Sequence, residues 1–506
     1  WRPGTDKPEP SGRGTYVFAA KPQGLSAHKT RLTTRDSERY SSSRHALGFY
    51  KCVINTCRYT VPTSGVQGQS VYEVFERALA SVVLDIPSLR VGIKDEETSS
   101  PYFVFLSAIN LHLHLEYHEV SKDLDVELIQ KLEHQHDQYF PDISSRPPWK
   151  VIIVSTPHPA NGVLAFDVIF AVHHSIADGR STAAFHTKLL NELAYPSVRP
   201  IQLSGHVLSL PPSQQLSPPL EEVVAFKQSW GFVLGTLFRE LGPAWLSRPS
   251  KAIPWTGKLI TPEPFQTNLR LIVVPAEVAP SVLAICRQHG TTLTPLLHSL
   301  VLASIAKLVP AKDAQVFCSS TPLDLRPYIS DHPPSGKPGA LFGVLVTTQA
   351  HHFESHEIHG DRDEDDIWKT AVNLRGRMKK HLETVPKDDI ISMLSWVTDW
   401  RKYWLSKIGK PRETTWEVSN IGSIHGIPSG SHLQPGWQIR RSIMSQGATV
   451  AGAAIGVNVA GVAGGDICIS LSWQEGIVET DLVEGMVLDL QRWLGQLVRG
   501  EKLAWK

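Results

Sequence analysis

Apolar positions along the chain recur with two different periods. From 71 to 87 they fall close to 3.6 residues apart, which predicts an amphipathic helix, as does the spacing over 126–140 and 181–193. Aromatic and β-branched residues crowd 48–61, and 103–120 alternates; both predict strands, as do the apolar runs 151–157 and 162–174. Residues 1–43 carry Gly, Ser, Thr and charge without a period and read as loose. After Ala194, Pro and Ser multiply, which predicts a linker containing one helix near 221–241 and a Trp/Pro-rich stretch over 243–264. The pattern restarts near 265. Strands are expected over 268–275, 315–328, 342–350, 417–424, 447–461 and 467–473. Helices are expected over 278–290, 292–309, several stretches to about 408, and 480–498. Strand–helix order is mixed, so the fold class is α+β. Two units of similar size, 1–200 and 265–506, should be joined by a crossover over 201–264.

Composition narrows the function classes. The 506 residues carry 50 Lys+Arg and 49 Asp+Glu, a formal net charge of +1, so a nucleic-acid footprint spread over the molecule is not expected. At 42% hydrophobic and 20% charged residues, the chain can bury a large core without staples. Five cysteines, none in a Cys-x-x-Cys pair, and the lack of an Asn-x-Ser/Thr site point to a reducing, cytoplasmic setting. The longest apolar run, 448–464, is interrupted by Asn458 and several glycines, so no membrane span is expected.

The chemistry-bearing segment is 170–181, Phe-Ala-Val-His-His-Ser-Ile-Ala-Asp-Gly-Arg-Ser. His173 and His174 end an apolar strand. Asp178 lies four residues beyond His174, Gly179 follows, and a helix begins near Ser181. A strand–turn–helix of this kind would pin one imidazole on rigid elements, with Gly179 supplying an unusual backbone conformation and Ser181 capping the helix. An imidazole titrating near pH 6.5 suits a general base at neutral pH. The residues alone also allow a core histidine pair with Asp178 as a cap. A metal site is a third reading, although adjacent strand residues point to opposite faces.

His-His-Ser-Ile-Ala-Asp-Gly matches the HHxxxDG signature of the chloramphenicol-acetyltransferase-like superfamily, with the preceding strand and following helix in place. The chain resembles its fungal alcohol acetyltransferase and BAHD-like branch. The resemblance implies two CAT-like domains, mixed sheets with flanking helices, around an active-site tunnel. It makes His174 the catalytic base, Asp178 mainly structural, and His173 a flanking histidine. The superfamily's motif aspartate pairs with an arginine from the second half, and 320–328 (Ser-Thr-Pro-Leu-Asp-Leu-Arg-Pro-Tyr) resembles the strand that carries it, which assigns Arg326. The late Asp-Phe-Gly-Trp-Gly motif of BAHD enzymes is missing. In its place stands 416–424, with Ser419 and Asn420 as candidate oxyanion donors, as in the alcohol acetyltransferase and wax-ester branches. The run 38–50 also looks like the start of the alcohol acetyltransferase family, though no chemistry is assigned to Arg44 or His45.

The implied reaction is acetyl transfer from acyl-CoA, as co-substrate, to a hydroxyl of a small hydrophobic metabolite without a covalent acyl-enzyme. A condensation-type enzyme using a carrier-protein thioester in trans is the alternative, and a degenerate ligand-binding member is a third. The remaining features carry less. The histidine-rich run 351–361 has the wrong spacing for a helical zinc motif, so it is expected to be a loop without metal. His112 and His114 should share a strand face, and Cys52 and Cys57 read as structural. Helices over 221–241 and 388–410, rich in Trp, are expected to line an acceptor tunnel or pack the core, with peripheral membrane-surface contact as the alternative.

Overall fold

The computed structural model describes residues 32–503 apart from 67, 69, 121–123, 157–158, 160, 213–214, 242–252, 330–340, 355–362 and 430–435. Two mixed sheets organise it. The first contains β1 (Val53–Pro62), β2 (Leu115–Glu119), β3 (Trp149–Ser155), β4 (Val163–Val172) and one late strand introduced below. The second contains β5 (Thr267–Val274), β6 (Val316–Asp324), β7 (Val346–Glu354), β8 (Trp416–Ile424), β10 (Ile455–Val462) and β11 (Ile467–Gln474). Strand β9 (Gln438–Gln446) comes from the second half of the chain, yet pairs antiparallel with β1 and completes the first sheet in the order β9-β1-β4-β3-β2. The second sheet runs β5-β11-β10-β8-β6-β7.

Helices cover the sheets as apolar periodicity requires. α2 (Val71–Asp85) and α4 (Gly179–Ala194) pack on the first sheet, where Phe170 of β4 stacks on Phe185 of α4 at 3.7 Å. α3 (Leu124–His136) covers the opposite face, with Leu128 and Leu132 fully buried. The second core forms around α6 (Ala279–Gln288), α7 (Leu293–Leu308), α8 (Glu364–Thr384) and α10 (Thr480–Arg499). The halves interpenetrate: Ile421, Ile424, Ala460 and Val462 from the second stretch belong to the first core.

Several expectations change. Residues 36–46, expected to be loose, form α1 (Asp36–Ala46). Its inward face is Ser37, Ser41, Ser42, Ser43 and His45, so no apolar period betrays it. Strand β9 was not anticipated, because Ser442 and Ser445 occupy fully buried positions where apolar residues would have signalled a strand. The helix expected over 388–410 is instead a 3₁₀ stretch (Ile390–Trp396) and α9 (Trp400–Leu405). Asp389 and Asp399 cap these separate starts, and Asp388 has φ +55°. Likewise the helix near 221–241 splits into Leu220–Val223 and α5 (Trp230–Leu241). His112 and His114 do not share a strand. His112 lies within the 3₁₀ turn Leu111–Leu113, and His114 ends it, buried on the Trp149 carbonyl. His351 and His352 lie on β7, while the rest of the histidine-rich run falls largely outside the described residues. Among the described residues no single helix is long and apolar enough to cross a membrane.

Candidate active site

The site grows from the end of β4. Val172 pairs with both Val53 and Trp149, and the chain then turns, with the Ile176 amide donating to the His173 carbonyl at 3.1 Å. Asp178 ends the turn in an extended conformation and caps α4, accepting from the Ser181 amide at 2.8 Å. Asp178 is therefore the cap, and Ser181 is the residue capped. Gly179 is the first helical residue, and its φ is not in the left-handed region. Its smallness answers a different need. A Cβ there would stand 2.5 Å from Ile421 Cγ2 and 2.9 Å from Met444 Cε, side chains arriving from β8 and β9.

Asp178 turns away from the imidazoles. Arg326, on a short 3₁₀ turn after β6, donates from Nη1 and Nη2 to its two carboxylate oxygens, both at 3.0 Å. The Leu345 amide donates to Asp178 at 3.0 Å, and Arg326 also donates to Ser181 Oγ and the Leu341 carbonyl. Ser181 Oγ exchanges hydrogen bonds with both backbone groups of Gly343. The two halves are thus latched under the turn by a fully enclosed ion pair. Burial opposes charge on Asp178, but the Arg326 guanidinium and two backbone amides outweigh it and hold its pKa below the ordinary value.

The two histidines have opposite surroundings. His173 is fully buried. Its Nε2–H donates to Glu96 at 2.8 Å, and its Nδ1 accepts from the Ser175 amide and hydroxyl. Burial first, then the neighbouring His45, pushes its pKa down to about 4. Glu96 also accepts from His45 Nδ1 at 2.9 Å and Ser42 Oγ at 3.0 Å, so α1 is tied to the histidine turn through one carboxylate. These hydrogen bonds hold the Glu96 pKa far below the ordinary carboxylate value against the pull of burial. The ligand-capable atoms of His45, Glu96 and His173 lie within 4.8 Å of one another. Each imidazole nevertheless directs a ring N–H at Glu96, so one carboxylate ties the two rings together. Glu96 and His45 were not read from sequence as site residues: Glu96 sits in the run Asp-Glu-Glu, which looks like a solvated loop.

His174 is partly exposed. Its Nδ1 is enclosed without a partner, whereas Nε2 is neither enclosed nor hydrogen-bonded among the described residues. With Nδ1 enclosed, Nε2 is the ring nitrogen presented outward. Burial and then the Arg44 charge lower its pKa, opposed by Asp178, so the ring is neutral at physiological pH. Tyr50 meets it edge-on at 5.6 Å. The Tyr50 hydroxyl donates to Gln446, whose amide donates to Glu417 and Asn458. A small cleft, open to solvent, is lined by Ser175, Ile176, Glu38 and Gly343 and not by His174.

Of the two candidate oxyanion donors, the structure leaves one free. Ser419 faces the same side of β8 as Glu417, and among the described residues its hydroxyl has only the Met444 sulfur at 4.0 Å. Asn420 points to the opposite side. It donates to Thr294 Oγ1 and accepts from the Gly422 amide, holding the bulge between 420 and 423. Its side-chain amide is thus committed within the second half. His173, enclosed and with both nitrogens occupied, is also not presented to a substrate.

Residues 112–487 match the protein family described as alcohol acetyltransferase. The chain belongs to the alcohol acetyltransferase family. It is therefore an acyltransferase of the EC 2.3.1 class. It is 33% identical to the probable alcohol acetyltransferase FCK4 of Fusarium pseudograminearum over 90% of this chain and 93% of that one. It is 25% identical to the probable alcohol acetyltransferase crmB of Aspergillus fumigatus, over 87% of this chain and 94% of that one. The fold of this alcohol acetyltransferase family member is shared with TRI3 trichothecene 15-O-acetyltransferase from Fusarium sporotrichioides, with a TM-score of 0.65 at 10% identity over 96% of this chain and 99% of that one. A condensation domain of the calcium-dependent antibiotic synthetase gives 0.58 at 13% identity, covering 94% and 97%. The two mixed sheets flanked by helices are accordingly the two-domain CAT-like arrangement.

Proposed function

We propose that this enzyme transfers an acetyl group from acetyl-CoA to the hydroxyl of a small, largely hydrophobic metabolite. The observation that carries this reading is the His174 imidazole, with Nε2 open and the turn beneath it locked by Asp178 and Arg326. Nε2 takes the hydroxyl proton as the oxygen attacks the thioester carbonyl. The C–O bond forms and the carbonyl becomes a tetrahedral oxyanion. Its collapse breaks the C–S bond, and the imidazolium returns the proton to the departing thiolate. No covalent acyl-enzyme is required. Base catalysis supplies roughly 10²–10⁴-fold, and positioning both substrates supplies much of the rest. Ser419 is the proposed oxyanion donor, since its hydroxyl is otherwise uncommitted.

The test is thiol release from acetyl-CoA across a panel of alcohols. Alcohol-dependent release of free CoA, with the acetyl ester as co-product, is the expected result. Turnover only with an acetyl group on a carrier protein would replace the donor with a protein-bound thioester, and no turnover with either would overturn the reading.

A further inference from the structure

Among the described residues, Arg44 stands beside this site without an anionic partner. It lies in the last turn of α1, its Cζ 4.4 Å from the Tyr40 ring centroid, 5.0 Å from that of Tyr50 and 6.0 Å from that of Trp404. Tyr50 is the ring that meets His174 edge-on, so the guanidinium is separated from the base by about one side chain. Its Nε is enclosed and unpartnered, while its terminal nitrogens are not enclosed. Among the described residues its side chain makes neither a hydrogen bond nor an ion pair. A guanidinium keeps its charge and offers donors in a planar fork. Leaving that charge half-buried without an anion is costly. Glu417 is the carboxyl that feels it, but no ion pair forms, and both Glu417 oxygens are already taken by Gln446 and Ser320. Three aromatic rings surround the guanidinium, and its terminal nitrogens are not enclosed.

We infer that Arg44 anchors the acceptor: it receives a carboxylate carried by the alcohol that His174 deprotonates. This rests on the acyl-transfer reading above. The donor's phosphates are the weaker candidate for the same cation, because a whole pantetheine arm separates them from the thioester that must meet His174. A carboxylate on the acceptor needs only a short spacer from its hydroxyl. Two parallel charge-assisted hydrogen bonds would then set which hydroxyl faces Nε2. The preferred acceptors are hydroxy acids with an apolar spacer, a narrower class than small hydrophobic alcohols.

The probes are 3- and 4-(hydroxymethyl)benzoate, their methyl esters and benzyl alcohol. Calorimetric titration into the wild-type chain, without donor, should show at least one acid binding roughly tenfold or more tighter than its ester. Arg44→Gln should erase that difference, and Arg44→Lys should keep part of it by retaining the charge without the fork. Thermal melts establish that both variants are folded, and if Arg44→Gln is not, Arg44→Lys alone must weaken acid binding and spare ester binding. Equal binding of acids and esters by the wild type, or a preference that survives Arg44→Gln, overturns the inference. Thiol release with benzyl alcohol is read separately. Its absence with every acceptor counts against acyl transfer, whereas the acid-over-ester ratio judges Arg44 whether or not turnover occurs.

Discussion

Arg326 grips both carboxylate oxygens of Asp178 at 3.0 Å, across the junction between the two halves of the molecule. The pair is almost fully enclosed, and neither group touches the imidazole it supports. Its work is therefore architectural: it fixes the turn that presents His174.

Breaking that pair from one side should leave an uncompensated buried charge. Asp178→Ala or Arg326→Ala should each cost roughly 3–5 kcal/mol and lower the yield of folded protein. Combining them should cost less than the sum, since the stranded charge is then gone. Denaturant midpoints of the singles and the double check this, and wild-type midpoints for both singles would contradict it.

Gly179 is fixed by crowding. Gly179→Ala should push against Ile421 and Met444 and cost about 1–3 kcal/mol, as overpacking does. Adding Met444→Ala should recover part of the loss, because the methionine tip is the movable neighbour. Thermal melts of the two variants decide it. A Gly179→Ala protein as stable as wild type would show that the β8–β9 contact yields freely.

Glu96 holds two imidazoles by their protons. Glu96→Gln can accept from only one of them without tautomer exchange, and should destabilise the chain by about 1–3 kcal/mol. It should also lower turnover by loosening the turn that carries His174. Because Glu96 already ties both rings by hydrogen bonds, dialysis against a chelator should leave the melting temperature unchanged. A chelator-induced drop, reversed by zinc, would contradict this arrangement.

Buried neutral histidines set the acid stability. His173, His114 and His186 have pKa values lowered to about 4, and His136 to about 3, in each case chiefly by burial. The unfolded chain takes up their protons near pH 6.5, the native state only near 4 or below. Between these values the unfolded state binds more protons, so stability is full above about pH 6.5 and falls as pH drops toward about 4. Denaturant midpoints across this range should decline steadily. A flat profile would mean these rings are already charged in the folded protein.

How much of this was legible in the sequence depends on what each element buries. β4 and α4 bury Phe170, Phe185 and Leu189, so their periods were plain, and the HHxxxDG residues could be placed between them. Arg326 was legible only through its resemblance to a known strand. α1 and β9 bury serines, and a serine facing inward looks in sequence like one facing water. Glu96 was lost in an acidic loop and Arg44 in a helix without a period. Asn420 and Ser419 are strand neighbours, so opposite faces followed from the period, but what each face meets came only from the folded sheet.

The most direct test is single-turnover acetyl transfer by His174→Ala beside wild type, with matched melting curves. The account predicts native folding and a loss of roughly 10²–10⁴-fold or more in rate. Transfer at the wild-type rate by a folded His174→Ala protein would contradict it.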